Sequence, residues 1–273
     1  MPRMQPPPGW IRGSEVTARL RISDSLLSRY VDEGKIRRHV PRGRTYGFYN
    51  EEDVKILENV STAFPGIKQR QAYRSFFAIA KRSDIPIIAK IDHDAIHPED
   101  NLYNDEIFLY WQQRNPETLF SLRDINGTVV GFLSILPMTR PALEHVIRGE
   151  ISLTDVTDED IPLFATGATI HLYVVALAVD PTFPIKVRHG YGAALLHGFF
   201  SFMLALADRG VMIETVTARS HTMDGIKLMR KLGLPWLISP VPGMELFSVT
   251  VAESGMPFLR EYSAKLAEVL KEK

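Results

Sequence analysis

Two stretches of this 273-residue chain place residue types at spacings that do chemistry. The first is Lys186-Val187-Arg188-His189-Gly190-Tyr191-Gly192-Ala193, set between a strongly apolar run and a second one. Paired glycines at such a junction let backbone approach a ligand closely, and the free amides of a helix start attract phosphate. Lys186 and Arg188 add positive charge beside them. The second stretch is basic and near the N-terminus. A short helix over Asp24–Glu33 presents Asp24, Ser25, Ser28 and Arg29, and a hairpin follows with Arg42 and Arg44 at its tip. A helix of that size fits the major groove of DNA, and tip arginines reach phosphates or the minor groove.

The elements that must position these residues follow from periodicity. His171 to Val179 is the strongest strand, apolar enough to be central. Ala194 to Asp208 carries Leu195, Leu196, Phe199, Phe200, Met203, Leu204 and Ala207 at helical spacing. Val211–Ala218 reads as a strand, Thr222–Leu232 as a helix stopped by Gly233, Met244–Val251 as a last strand, and Pro257 opens a terminal helix. Upstream, Thr118–Arg123 and Thr128–Ile135 form a hairpin around Asp124-Ile125-Asn126-Gly127. Ile85–Ile91 reads as a short strand, 94–114 as mostly helix, and 137–167 as a charged insert. Ile67–Arg82 reads as a basic amphipathic helix with Tyr73, Phe76, Phe77 and Ala80 on one side.

At the front, a helix over Ser14–Leu20 precedes the one capped by Ser23, whose Leu27 and Tyr30 face inward and which Gly34 ends. Asn50 caps a third helix, with Glu51, Glu52 and Asp53 in its first turn and Val54, Ile56, Leu57 and Val60 on its buried side.

Composition removes several classes of chemistry. With no cysteine there is no disulfide framework, thiolate nucleophile or sulfur-ligated metal. The opening residues lack the apolar core of a signal peptide, and no run of about 18 apolar residues suggests a membrane span, so a cytoplasmic protein is expected. The net charge of zero is a cancellation. Residues 1–90 hold 17 Lys/Arg against 9 Asp/Glu, and residues 91–273 hold 15 against 23. The basic front points to nucleic acid.

The front resembles the MerR-like or excisionase-like winged helix-turn-helix over about 50 residues. The resemblance falls on Glu15-Val16, on Leu27-Ser28-Arg29-Tyr30 with Gly34 and Ile36, and on Tyr49-Asn50-Glu51-Glu52-Asp53-Val54. It implies DNA contacts from Ser25, Ser28, Arg29, Arg42 and Arg44. In regulators of that type a helix after the wing builds a homodimer contact; here the helix within 67–82 fits that role and docking on the second domain equally.

The remainder resembles the GCN5-related N-acetyltransferase family over roughly residues 86–252. Leu177-Ala178-Val179-Asp180-Pro181 matches the "L-x-V-x-P" that ends its central strand, and Gly190-Tyr191-Gly192-Ala193 matches the glycines of its "R/Q-x-x-G-x-G/A". Residues 222–234 match the frame of its next helix, "N-x-x-A-x-x-L-Y-x-x-x-G-F". The resemblance implies acetyl-CoA, with its pantetheine arm along Leu177, Ala178 and Val179. Its pyrophosphate would lie on the backbone of Val187, Arg188, His189, Gly190, Tyr191, Gly192 and Ala193, near Thr222. The family's Arg or Gln falls on Val187, with Arg188 one place late. Its asparagine falls on Thr222, and its tyrosine, the usual proton donor, on Met229, which donates none. The candidate catalytic residues are therefore His171, which shares a strand face with Tyr173, Glu214 in the neighbouring strand, and Tyr191, with His189 and Ser220 as further substitutes. Asp92, His93 and His97 lie where the family recruits substrate contacts, and no metal is expected.

The expected fold class is α+β: a mixed-sheet acyltransferase fold over 85–252, preceded by a winged helix-turn-helix domain over 10–64 and a connecting helix over 65–84. A C-terminal helix occupies 253–273. Two functions fit. One is an N-acetyltransferase fused to a DNA-binding domain, acting on an amine. The other is a transcriptional regulator that senses an acyl-CoA with little turnover.

Overall fold

The computed structural model describes residues 5–20, 22–32, 36–41, 47–55, 75–97 and 104–271. Arg42 and Arg44, expected at a hairpin tip, Gly34, and residues 56–74 lie outside that set.

The N-terminal residues build a small three-stranded sheet and helices on one core. β1 (Trp10–Arg12), β3 (Phe48–Asn50) and β2 (Arg38–His39) pair antiparallel in that order, so the expected hairpin joins β2 to β3. α1 (Gly13–Leu20) and α2 (Asp24–Asp32) pack Val16, Leu20 and Leu27 against Ile11, Ile36 and Val54. Ser23 Oγ accepts the amide hydrogen bond of Leu26 at 3.3 Å and so caps α2. α3 opens at residues 51–55, where Asn50 Oδ1 accepts from the Asp53 amide at 3.1 Å.

Asp53 is fully buried and shared between two arginines. Arg37 donates to it from its amide (2.9 Å), Nε (3.1 Å) and Nη2 (3.0 Å), and Arg260 of the C-terminal helix reaches Oδ2 at 3.0 Å. A carboxylate withdrawn from water stays ionised only with such partners. Here one of them comes from the far end of the chain.

The larger sheet has seven strands in the order β4-β5-β6-β7-β8-β10-β9: β4 (Ser75–Ile79), β5 (Leu119–Asp124), β6 (Val129–Met138), β7 (Thr169–Val179), β8 (Met212–Ser220), β9 (Trp236–Leu237) and β10 (Glu245–Thr250). Every neighbouring pair is antiparallel except β7 and β8, which run parallel. The sheet is therefore mixed and the class α+β. One face carries α7 (Ile185–Asp208) and α9 (Pro257–Lys271), packed on Leu172, Val174, Val216 and Phe247. α4 (Ile85–Ala95), α5 (Asp105–Arg114) and α6 (Arg140–Arg148) cover the other face, over Phe132, Leu136, Tyr173 and Ala176. α8 (Met223–Leu232) follows β8 and ends at Gly233, whose φ of 82° is the left-handed cap expected of that glycine. Among the described residues α7 alone is long and apolar enough to cross a membrane, and most of it is buried in the protein.

Two expected elements are corrected. Ile85–Ile91 is helix, not strand: Pro86 sits in its first turn, and Ile85, Ile88 and Ile91 recur every three residues along one buried side. Within the expected helix 67–82, residues 75–79 instead form edge strand β4, and 67–74 lie outside the described residues. The sheet thus begins ten residues before 85. Phe76 is exposed, whereas Phe77 stacks on Phe120 with ring centroids 5.0 Å apart. Aromatics at 76 and 77 with Ala80 satisfy either period, and the partner strand decides.

Gly198 lies on α7 directly over Phe77, and a side-chain carbon there would overlap the ring. Gly198→Ala is expected to destabilise the protein by about 1–3 kcal/mol. Urea denaturation read by tryptophan fluorescence checks this, with Gly255→Ala, whose position faces open space, as the control.

Candidate functional site

Two bulges shape the centre of the sheet. Ser134 pairs with Ala176 and Ile135 with Val174, so Val175 is the extra residue of β7. Ile170 pairs with Ile213 and His171 with Thr215, so Glu214 is the extra residue of β8. A bulge bends its strand and re-aims side chains. The parallel register ends at Val174↔Ala218, although β7 runs on to Val179 and β8 to Ser220. Past that point β7 keeps β6 on one side, through Gly131↔Val179, and diverges from β8 on the other. Leu177 and Val179 are half-buried there and Ala178 is buried.

β7 leads through Asp180 to Pro184, where α7 starts. The Val187 and Arg188 amides donate to Pro184 O at 2.9 and 3.0 Å. This corrects the expected glycine turn. Gly190, Tyr191, Gly192 and Ala193 are buried within the helix, which starts nine residues before Ala194. The helix-start amides that lie ahead of this bonding therefore belong to Ile185 and Lys186 rather than to 187–193. The glycines suit close packing, and Pro184 sets the start. Arg188 lies in this first turn, and its Nε is buried with no partner among the described residues. His189 is exposed on the same turn. Thr222 caps α8, accepting from the Gly225 amide at 3.2 Å, and Met229 packs against the core.

The three candidate catalytic residues do not meet. Tyr191 is 8% exposed on the α7 face of the sheet, edge-on to Phe183 at 5.5 Å. His171 and Glu214 lie on the opposite face beside α6. His171 Nδ1 is 2.9 Å from Thr215 Oγ1, its Nε2 is 3.6 Å from Glu214 Oε2, and Glu214 also binds Arg140. These groups satisfy one another in the part of the sheet where β7 and β8 are still paired. Burial holds the His171 imidazole below its ordinary value of 6.5, with Glu214 opposing and Arg140 reinforcing the shift. Burial pushes the Tyr173 phenol up to about 12, and it stays protonated.

A different cluster sits where the strands have parted. His97 Nδ1 is 2.9 Å from Asp92 Oδ2, and Asp92 is 1% exposed on the buried side of α4. Its Oδ1 is buried with no partner among the described residues. His221, directly after β8, donates from Nε2 to Ile96 O at 2.8 Å and brings its ring to 5.5 Å from that of His97. The sequence signal for Asp92 and His97 is their five-residue spacing across a helix end. For His221 there is none, because it is joined to them only by the fold. No group of three or more His, Asp or Glu suited to a metal occurs among the described residues.

On the N-terminal sheet and helices, Ser25, Ser28 and Arg29 are exposed along α2, while Leu27 is buried.

No family model and no curated protein matches the chain. Similar solved structures include the N-acyl amino acid synthase FeeM from uncultured soil microbes. It is 16% identical, with 67% of this chain and 93% of that one covered and a TM-score of 0.43. Arabidopsis thaliana NAA60 in complex with a bisubstrate analogue is 15% identical, covering 65% and 98%, with a TM-score of 0.43. A ribosomal-protein alanine N-acetyltransferase from Escherichia coli is 17% identical, covering 67% and 97%, with a TM-score of 0.40.

The lowered affinity of His171 for its proton has a consequence for stability. Above about pH 6.5 both folded and unfolded chains hold it neutral, and its contribution is complete. Below that value the unfolded chain binds the proton first, so stability drains away as pH falls. Thermal unfolding of wild type and His171→Gln from pH 7.5 to 5 is expected to show a shallower fall for the variant. Parallel curves would show that His171 titrates alike in both states.

Proposed function

We propose that the chain binds acetyl-CoA where β7 and β8 separate and transfers the acetyl group to a primary amine, as a GCN5-related N-acetyltransferase. The single observation that carries this is the end of the parallel register at Val174↔Ala218, beside the Val175 bulge and in front of the α7 start. A strand that loses its partner mid-sheet leaves backbone donors and acceptors for an extended amide-bearing arm. Leu177, Ala178 and Val179 line that length of β7. The residues at the helix start fit the anionic end: the Ile185 and Lys186 amides, the Lys186 side chain, and Arg188 with its orphaned Nε. When bound, acetyl-CoA supplies an activated thioester. The protein's share is to align it with the amine and accept a proton. Val187, His189, Gly190, Tyr191, Gly192 and Ala193 then shape the first turns of α7 rather than a free loop, and Thr222 orders the start of α8.

A second reading, a sensor of acyl-CoA with little turnover, is favoured by Met229. It packs on the core at the position where the resembled family carries its proton-donating tyrosine. The two readings share the binding step and differ in product. Because the chain has no cysteine, a thiol-reactive dye reads released CoA without background. Turnover with a peptide bearing a free N-terminus, a lysine peptide with blocked ends, spermidine or glucosamine selects the enzyme. Binding without release selects the sensor, and no calorimetric binding of acetyl-CoA rejects both. Arg188→Ala is expected to weaken acetyl-CoA binding by about 10–100-fold, the worth of a charge-assisted hydrogen bond, with an unchanged melting temperature.

The N-terminal sheet and helices are read as a winged helix-turn-helix that binds DNA. α2 offers Ser25, Ser28 and Arg29 to the major groove, and Arg42 and Arg44 contact phosphates. The support is the exposed polar side of α2 next to the β2–β3 hairpin and the net positive charge of residues 1–90. Replacing Arg42 and Arg44 with alanine is expected to weaken binding to a fluorescent duplex and to reduce the slope of log K against log salt by about 2. An unchanged slope would remove those two arginines from the phosphate contacts.

A further inference from the structure

We propose that Arg219 and the Tyr173 hydroxyl seat a carboxylate carried by the attacking amine, so that the acceptor is an amino acid rather than a purely cationic amine. The assignment rests on the acetyl-transfer reading above and names its substrate class.

The sheet places Arg219. Val216 and Ala218 turn into the core under α7, so alternation along β8 sends Thr217 and Arg219 to the face covered by α4 and α6. Arg219 Nη2 donates to Val146 O of α6, which fixes the guanidinium on that face. Val146 and Tyr173 belong to one core, and Tyr173 pairs with Thr217 one rung before the register ends. Arg219 directly follows Ala218, the last β8 residue paired with β7. Its side chain therefore springs from the point where the strands part.

Its surroundings leave its charge unmatched. Arg37, Arg123, Arg140, Arg148, Arg209 and Arg260 each reach a carboxylate. Arg219 forms no ion pair among the described residues; its acceptor is the neutral Val146 carbonyl, and its Nε is buried with no partner among them. The carboxylates of the neighbouring elements are engaged elsewhere. Asp92 of α4 holds His97, Glu214 of β8 holds Arg140, and Glu245 of β10 holds Trp236. A guanidinium has five N–H donors and keeps its charge, so half-buried against one neutral acceptor it is under-compensated.

Tyr173 is the second component. It is 3% exposed, its phenol stays protonated beside the positive charge of Arg219, and its hydroxyl bonds to no described residue. A hydroxyl donor next to a guanidinium suits a carboxylate, because the planar fork takes its oxygens and the phenol donates to one of them. One cation matches one negative charge, which favours a carboxylate over a doubly charged phosphate. Tyr173 lies two residues before the Val175 bulge, so a carboxylate held there turns the amine of the same molecule toward the opening between the strands. A polyamine meets like charge at the same place.

The test uses the full chain, acetyl-CoA and the CoA-release assay above, with α-amino acids, β-alanine and 4-aminobutanoate each set beside its carboxamide. Wild type is expected to favour its best acid over the matching carboxamide by about 30-fold or more in kcat/KM, mainly through KM. Arg219→Gln, which keeps a neutral donor for Val146 O, should bring that ratio near one, and Arg219→Lys should retain part of it. Tyr173→Phe should lower it by about threefold to tenfold. Calorimetric affinity for acetyl-CoA within twofold of wild type marks each variant as folded. A wild type that uses carboxamides, spermidine or glucosamine as well as it uses acids would overturn the proposal and leave acetyl transfer intact. So would an acid preference that survives Arg219→Gln. A wild type silent toward every amine, acids included, would overturn the transfer reading and this proposal with it.

Discussion

Strands in a sheet are bound to pair their backbone groups, and the neighbouring strands β7 and β8 stop doing so at Val174 and Ala218. The constraint that produces this is a pair of extra residues, one per strand. Glu214 enters near the start of the parallel run and Val175 just past its end. Each turns its strand, and the separation fixes where α7 starts after β7 and where Thr222 caps α8 after β8. The helices that cover the sheet are set by this parting. α7 and α9 seal one face, and α4 brings Asp92 to the other.

The charged groups around this centre divide into two kinds. His171, Glu214 and Arg140 satisfy one another across β7, β8 and α6, and similar closed sets hold Asp84 with Arg123 and Ser121. Such sets orient elements and leave little to offer a ligand. Arg188 and Asp92 are of the other kind, each with a buried polar atom that has no partner among the described residues. The neutral total charge conceals this distinction, which depends on tertiary placement alone.

How much could be read beforehand follows the same line. The hairpin of β5 and β6, the apolar run of β7, the Gly233 stop and the Pro257 start were all legible, because local pattern and final environment agree. The β7–β8 bulges were not, since one extra residue leaves no mark on an apolar strand. α4 departs from the expected strand because four isoleucines in seven residues fit a strand until Pro86 and the buried Asp92 are seen to share its helical geometry. The G-x-G stretch pointed to the right junction but the wrong turn, for glycine tolerates a packed helix as well as a loop. His97 and His221 are 124 positions apart, and only the fold brings them together.

Asp53 carries a different consequence, one of timing. Its buried carboxylate draws one arginine from the hairpin that precedes it and the other from α9, more than two hundred residues later. Chains emerge from the ribosome N-terminus first, and early domains ordinarily settle before later ones exist. Here Arg37 is available to Asp53 early, and the second counter-ion, Arg260, joins only once α9 has been made. The N-terminal sheet and helices therefore reach their final charge balance only after α9 has been made.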